Sequence, residues 1–194
     1  MKKILLIFLV FIFWAQGQAL AYTWKVDPAH SGISFGIKHI YATVQGHFSD
    51  FSGEVFFDPD NLEKSRFDFV VKVDSINTFN TKRDNHLRSA DFFDTGKYPE
   101  MTFKTDRVSH IGGNKYKLEG RMTIKNVTRN VVLEFIYWGQ KEHPFNKKQL
   151  VAGFDARLEI DRLVYQVGNG KFYQMGVVGK DVAILITLEV VRNK

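Results

Sequence analysis

The feature that most restricts this chain is a two-residue alternation of apolar and polar side chains that returns along most of its length. Ile33, Phe35 and Ile37 alternate with Ser34, Gly36 and Lys38, and Phe67, Phe69, Val71 and Val73 recur at every second position, as do Val182, Ile184, Ile186, Leu188 and Val190. Neighbouring side chains of a strand face opposite ways, so this period marks strands with one buried face. Turn-forming clusters such as Asp58-Pro59-Asp60-Asn61, Gly112-Gly113-Asn114 and Gly168-Asn169-Gly170 separate the runs. The count comes to about eight strands, with no alternation of strand and helix that would build a parallel sheet. The expected fold class is therefore all-β and antiparallel, closed into a barrel or folded into a sandwich so that no long edge is left unpaired.

One segment breaks the rhythm. Residues 82–103, KRDNHLRSADFFDTGKYPEMTF, read as a short helical insertion followed by a loop. Thr81 is placed as N-cap with Asp84 three residues on, and good helix formers continue through Leu87 and Arg88. The helix should stop after Ala90. Phe92 and Phe93 are adjacent and must point in different directions, and the turn signals of residues 96–99 start a new strand near Glu100. Arg83, His86, Arg88, Asp91 and Asp94 surround this apolar corner, which suits either a lid with a charged rim or a packed connection held down by ion pairs, such as Arg88 with Asp91 or Asp94.

The N-terminus follows different rules. Lys2 and Lys3 precede eleven consecutive apolar residues, 4–14, and Ala19-Leu20-Ala21 offers a small-x-small cleavage pattern. Residues 1–21 are expected to be a secretory signal peptide, because the apolar run is too short for a span of about 20 residues. Residues 22–194 then form a single domain with no stable membrane insertion. Taking Lys2 and Lys3 from the 27 basic residues leaves 25 against 21 acidic ones, a mild excess scattered along the chain. That distribution, without a nucleic-acid motif, argues against nucleic acid as a partner. The chain has no Cys, so stability must come from the core.

Of 18 Phe residues, three (Phe8, Phe11 and Phe13) fall in the leader. Many of the rest occupy the alternating faces, including Phe35, Phe48, Phe67, Phe69, Phe103, Phe135 and Phe154. An eight-stranded barrel can either fill itself with such side chains or hold one small ligand, and the residues leave both open. Gly46, on the same face as Phe48, suggests a bulge or room made for a bulky neighbour.

Four stretches carry a family resemblance: WKVDPAHSGISFGIKHIYATVQGHFSDFSGEVFFD at residues 24–58, the helical insertion with its His-Leu-Arg-Ser and Asp-Phe-Phe-Asp clusters, LEGRMTIKNVTRNVVLEF at 118–135, and VVGKDVAILITLEV at 177–190. Together they resemble the YceI-like family of secreted lipid-binding proteins. Residues 161–176 depart from the family pattern, with Leu-Val-Tyr-Gln-Val-Gly following Arg162. The resemblance implies a lipocalin-like barrel and a periplasmic protein that binds, carries or stores an isoprenoid-type lipid. On that reading Phe35, Phe48, Phe67, Phe69, Phe92, Phe93, Phe103, Phe135 and Phe154 line the ligand, while His86, Arg88, His30 and His39 stand at the mouth.

The competing reading is an enzyme using a His/Asp pair, His30 with Asp27 or His86 with Asp84. No recognisable nucleophile accompanies either pair, and the six His residues show no metal-ligand spacing. The sequence therefore leads to a binding protein rather than an enzyme, without a metal or cofactor, and leaves a homodimer open.

Overall fold

The computed structural model describes residues 23–194; the expected signal peptide lies outside them. Eleven strands run in chain order: β1 (Thr23–Val26), β2 (Gly32–His39), β3 (Ala42–Phe48), β4 (Phe51–Phe56), β5 (Arg66–Lys72), β6 (Ile76–Asn77), β7 (Glu100–Gly112), β8 (Lys115–Ile124), β9 (Val127–Glu142), β10 (Gln149–Asp161) and β11 (Val178–Asn193). Eight of them close an antiparallel ring in the order β1, β4, β5, β7, β8, β9, β10, β11 and back to β1. The expected barrel is present. Strands β2, β3 and β6 extend the wall from β11, and β1 and β6 are too short to show any periodicity in sequence.

The wall changes partner on β11. Near its C-terminal end β11 pairs with β1 through Val190 and Val191, whereas its first half pairs with β2 from Val178↔His39 to Thr187↔Gly32. Residues 27–31, with Pro28, make the step between the two. At the junction the Ser31 hydroxyl donates to the Glu189 carbonyl and accepts from the Glu189 N–H, both at 3.0 Å, and the Asp27 N–H donates to the same carbonyl. A side chain thus bridges the gap between two ladders and pairs both main-chain groups of Glu189.

On the other side the helix α1 (Thr81–Arg88) and residues 89–99 stand between β6 and β7. The N-cap is Asn80 rather than Thr81: its side chain accepts from the Arg83 N–H at 3.0 Å, so the helix begins at Thr81, one residue earlier than an N-cap at Thr81 would allow. Phe92 and Phe93 do part company. Phe93 packs edge-on to Phe48, while Phe92 joins Tyr165 and Val167 in a separate cluster. A second helical turn, α2 (Lys171–Gln174), follows a single turn of 3-10 helix at Arg162–Tyr165. With four residues each, neither could show a helical period in sequence.

The barrel interior has two tiers. At the base, Phe57 is buried among the rings of Phe67, Tyr116, Phe135, Tyr137 and Phe154, with centroids 4.9–5.8 Å away. The Trp24 indole N–H donates to the Phe57 carbonyl at 3.3 Å. Edge-to-face contacts of this kind add to the burial of large rings. Replacing Phe57 by Ala should leave a void at the base and lower unfolding stability by about 3–5 kcal/mol, measured as a reduced urea midpoint with an unchanged slope.

Candidate functional site

Above the aromatic base the lumen is open. It encloses about 690 Å³, within the range of small-molecule pockets. Ile33, Phe35, Ile37, Val44 and Phe48 of β2 and β3 line one side, Leu158, Ile160, Ile184 and Ile186 of β10 and β11 another, and Met101, Phe103 and Met122 of β7 and β8 a third. These are the inward positions of the period-2 pattern, while Arg157 and Glu159 on β10 alternate with the lining residues.

Glycine keeps the space open. A Cβ on Gly46 would lie 2.5 Å from the Phe35 ring, and one on Gly53 would lie 2.4 Å from the Phe69 ring. Both pairs are direct cross-strand neighbours, Phe35↔Gly46 and Gly53↔Phe69. Each ring therefore lies over the bare backbone of the adjacent strand instead of reaching across the lumen, the arrangement by which an aromatic covers a strand glycine.

Apart from Thr102 on β7, the polar groups of the lining gather toward one end: His39 from β2, Thr78 and Asn80 ahead of α1, Lys82, Arg83 and His86 on α1, and Arg162. A hydrogen-bonded corner fixes α1. The buried Asp84 carboxylate accepts from the Thr78 N–H at 2.9 Å and from the Thr78 hydroxyl, and Arg83 donates to the Thr78 hydroxyl and carbonyl at 2.7 and 2.6 Å. Arg162 is buried and spends its donors on main-chain carbonyls, Gly179 at 2.8 Å, Val167 at 2.7 Å and Val178 at 3.5 Å. Its guanidinium also lies 5.9 Å from the Phe92 ring centroid. Burial lowers its pKa from the usual arginine value.

The structure gathers all nine sequence-predicted phenylalanines, Phe35, Phe48, Phe67, Phe69, Phe92, Phe93, Phe103, Phe135 and Phe154, around this one cavity, together with His39 and His86. Arg88 and His30 lie elsewhere. Arg88 donates to the carbonyls of Asp74 and Ile76 and pairs with the Asp74 carboxylate at 3.2 Å, tying α1 to the segment before β6; it pairs with neither Asp91 nor Asp94 as the local spacing suggested. His30 sits in the turn between β1 and β2, 2.8 Å from Asp27 and 3.8 Å from Glu189. The pairing of His86 with Asp84 is also corrected: His86 meets Asp91 at 3.1 Å, because Asp84 turns inward to Thr78. Lining residues not singled out from sequence include Phe172, which stacks on Phe92 at 5.9 Å, and Arg162. The departure of residues 161–176 from the family pattern was the available signal for both.

Residues 24–190 match the YceI-like domain. The chain belongs to the YceI-like family. It is 33% identical to Protein YceI of Escherichia coli O6:H1 across the full length of both chains. Among solved structures it resembles BcnA of Burkholderia cenocepacia, with 27% identity, a TM-score of 0.75 and coverage of 87% of this chain and 99% of the other. The YceI protein of Campylobacter jejuni matches at 29% identity and a TM-score of 0.70, over 81% of this chain and 90% of that one. A polyisoprenoid binding domain from Saccharophagus degradans shares the fold at 14% identity, with a TM-score of 0.62.

Asp27, His30 and Glu189 are the group of potential metal-ligating side chains close together among the described residues. In this YceI-like chain their geometry serves the partner change on β11. The hydrogen bond to Asp27 raises the His30 pKa above its ordinary 6.5, and that bond lowers the Asp27 pKa. The stabilisation from His30 is complete below pH 6.5 and is lost as pH rises through its folded-state pKa; that from Asp27 is lost as pH falls below the ordinary carboxylate range. An NMR titration should place His30 above 6.5, and Asp27→Asn should bring it back toward 6.5.

Proposed function

We propose that this YceI-like protein is a periplasmic carrier that sequesters an isoprenoid-type lipid in the barrel lumen, with residues 1–21 removed as a signal peptide and residues 22–194 forming the carrier. The observation that carries this reading is a cavity closed at one end by aromatic rings, walled almost wholly by apolar side chains and supplied with most of its polar groups toward the other end. An unpaired polar group in such a wall would cost about 1–3 kcal/mol, and a branched hydrocarbon tail brings none. At roughly 30 Å³ per water-sized group, a lumen of 690 Å³ accepts on the order of 20 carbons, about four isoprene units. Burying that many at about 0.8 kcal/mol each gives a gross gain of about 16 kcal/mol, just above the top of the ~4–15 kcal/mol cost of association. Family membership supports the same direction, as does the polyisoprenoid-binding description of one neighbour of the same fold.

Four of the six histidines give no support to the enzyme reading. His30 and His86 pair with carboxylates, and His110 and His143 bond to main-chain groups, so among the described residues none of these four is set against a Ser or Thr hydroxyl.

Native mass spectrometry of the protein purified from its host, followed by solvent extraction, tests the carrier reading. A stoichiometric isoprenoid is expected. A protein that is empty, and stays empty after incubation with isoprenoid quinones, would sink it. Ala156→Trp places a large side chain from β10 into the lumen and should reduce bound lipid at least tenfold while circular dichroism remains that of the parent. Gly53→Leu should do the same by displacing the Phe69 ring into the cavity, here with some loss of stability.

A further inference from the structure

Three segments enter the lining of the lumen and leave it again, and each carries exposed apolar side chains where it does so. His39 lines the cavity and is followed by Ile40 and Tyr41, 57% and 98% exposed at the β2–β3 turn. Phe79, 78% exposed, stands between the lining residues Thr78 and Asn80. Tyr173 and Met175, 44% and 61% exposed, stand between the lining residues Phe172 and Val177. The first and third segments are joined, since the Ile40 N–H donates to the Val177 carbonyl at 3.0 Å. The mouth of an apolar cavity is thus ringed by side chains that a water-facing surface has no use for.

The charge on these segments has one sign. Residues 38–43, 78–83 and 168–177 carry Lys38, Lys82, Arg83 and Lys171 and no Asp or Glu. Four carboxylates on adjoining segments are already committed: Asp84 is buried against Thr78, Asp91 pairs with His86, and Asp161 and Asp181 both pair with Lys180. Exposed aromatic and aliphatic tips among unopposed lysines are the chemistry of an interfacial anchor, in which apolar groups enter the acyl boundary and cations meet anionic head groups.

We propose that this rim docks the protein on an anionic phospholipid surface with the mouth facing the bilayer, resting on the carrier reading in that docking brings the lumen against the phase from which a lipid tail is drawn. Tyr41, Phe79 and Met175 enter the interface, and Lys38, Lys82 and Lys171 lie at the phosphate level. The exposed Phe145 belongs to the β9–β10 loop, at the end of the barrel where Gln149 pairs with Asn193, and takes no part.

Flotation of the protein residues 22–194 with phosphatidylglycerol–phosphatidylethanolamine vesicles, against pure phosphatidylcholine vesicles, tests this. Binding to the anionic vesicles that weakens with added salt is expected, with at least about tenfold less binding to phosphatidylcholine. The doubly substituted Tyr41→Ser, Met175→Ser and Lys38→Glu, Lys171→Glu proteins should each lose about tenfold in vesicle binding, and Phe145→Ser should lose none. All these side chains are exposed, so the fold is retained and circular dichroism checks it. Equal binding to both vesicle types, or rim variants that bind like the parent, would overturn the proposal. So would a rim that proves to be a contact between copies, shown by the serine variant dissociating a dimer in sedimentation while no vesicle is bound. Native mass spectrometry separates the two readings: lipid in the lumen without vesicle binding removes the docking surface and leaves the carrier, whereas rim-dependent vesicle binding by a protein that never holds lipid removes the carrier and leaves the surface.

Discussion

The architecture depends on how Phe57 is held at the base of the barrel. Five aromatic rings surround it, and the Trp24 indole fixes its carbonyl. An eight-stranded barrel has an interior that side chains can fill completely, yet here they fill only one end. The closed base makes the lumen a blind pocket. On the carrier reading a ligand would exchange through the opposite end, where most of the polar lining residues are found.

Two further devices keep the upper tier empty. The glycines at 46 and 53 let Phe35 and Phe69 lie against the wall, so bulky apolar residues line the space without occupying it. The insertion carrying α1 completes the wall beside the short strand β6, held by the Asp84–Thr78 hydrogen bonds on one side and by Arg88 on the carbonyls of Asp74 and Ile76 on the other. Arg162 brings a charge to the lining and directs it into three carbonyls, which leaves the apolar part of the pocket without an unpaired donor reaching across it.

Much of this was legible in sequence, for a physical reason. A strand side chain has only two directions to point, so the alternation of Phe67, Phe69 and Val71 or of Ile184, Ile186 and Leu188 already says which atoms face inward. The seven phenylalanines that follow this alternation border one cavity, and Phe92 and Phe93 of the insertion join them there. Ion pairs are not legible in the same way. Arg88 meets Asp74, fourteen positions away, because the chain turns back before β6, and local spacing favoured Asp91 and Asp94 instead. His30 is close to the N-terminal strand in sequence and remote from the cavity in space. The four-residue α2 and two-residue β6 have no period to detect, and the shift of the N-cap from Thr81 to Asn80 turns on which of two adjacent polar side chains reaches the Arg83 N–H.

The Ser31 hydroxyl, bonded in both directions to Glu189, is where the ladder of β1 on β11 ends and that of β2 on β11 begins. A single sheet edge shared by two successive partners behaves as a seam. The wall around the mouth, built on β2 and β3, and the wall around the aromatic base, built on β1 and β4, are separate hydrogen-bonded panels along that side of the barrel. Both panels hang on one strand and are joined at Glu189 by the Ser31 hydroxyl and the Asp27 N–H, so the pairing of β11 with β2 shapes the entrance while its pairing with β1 shapes the base.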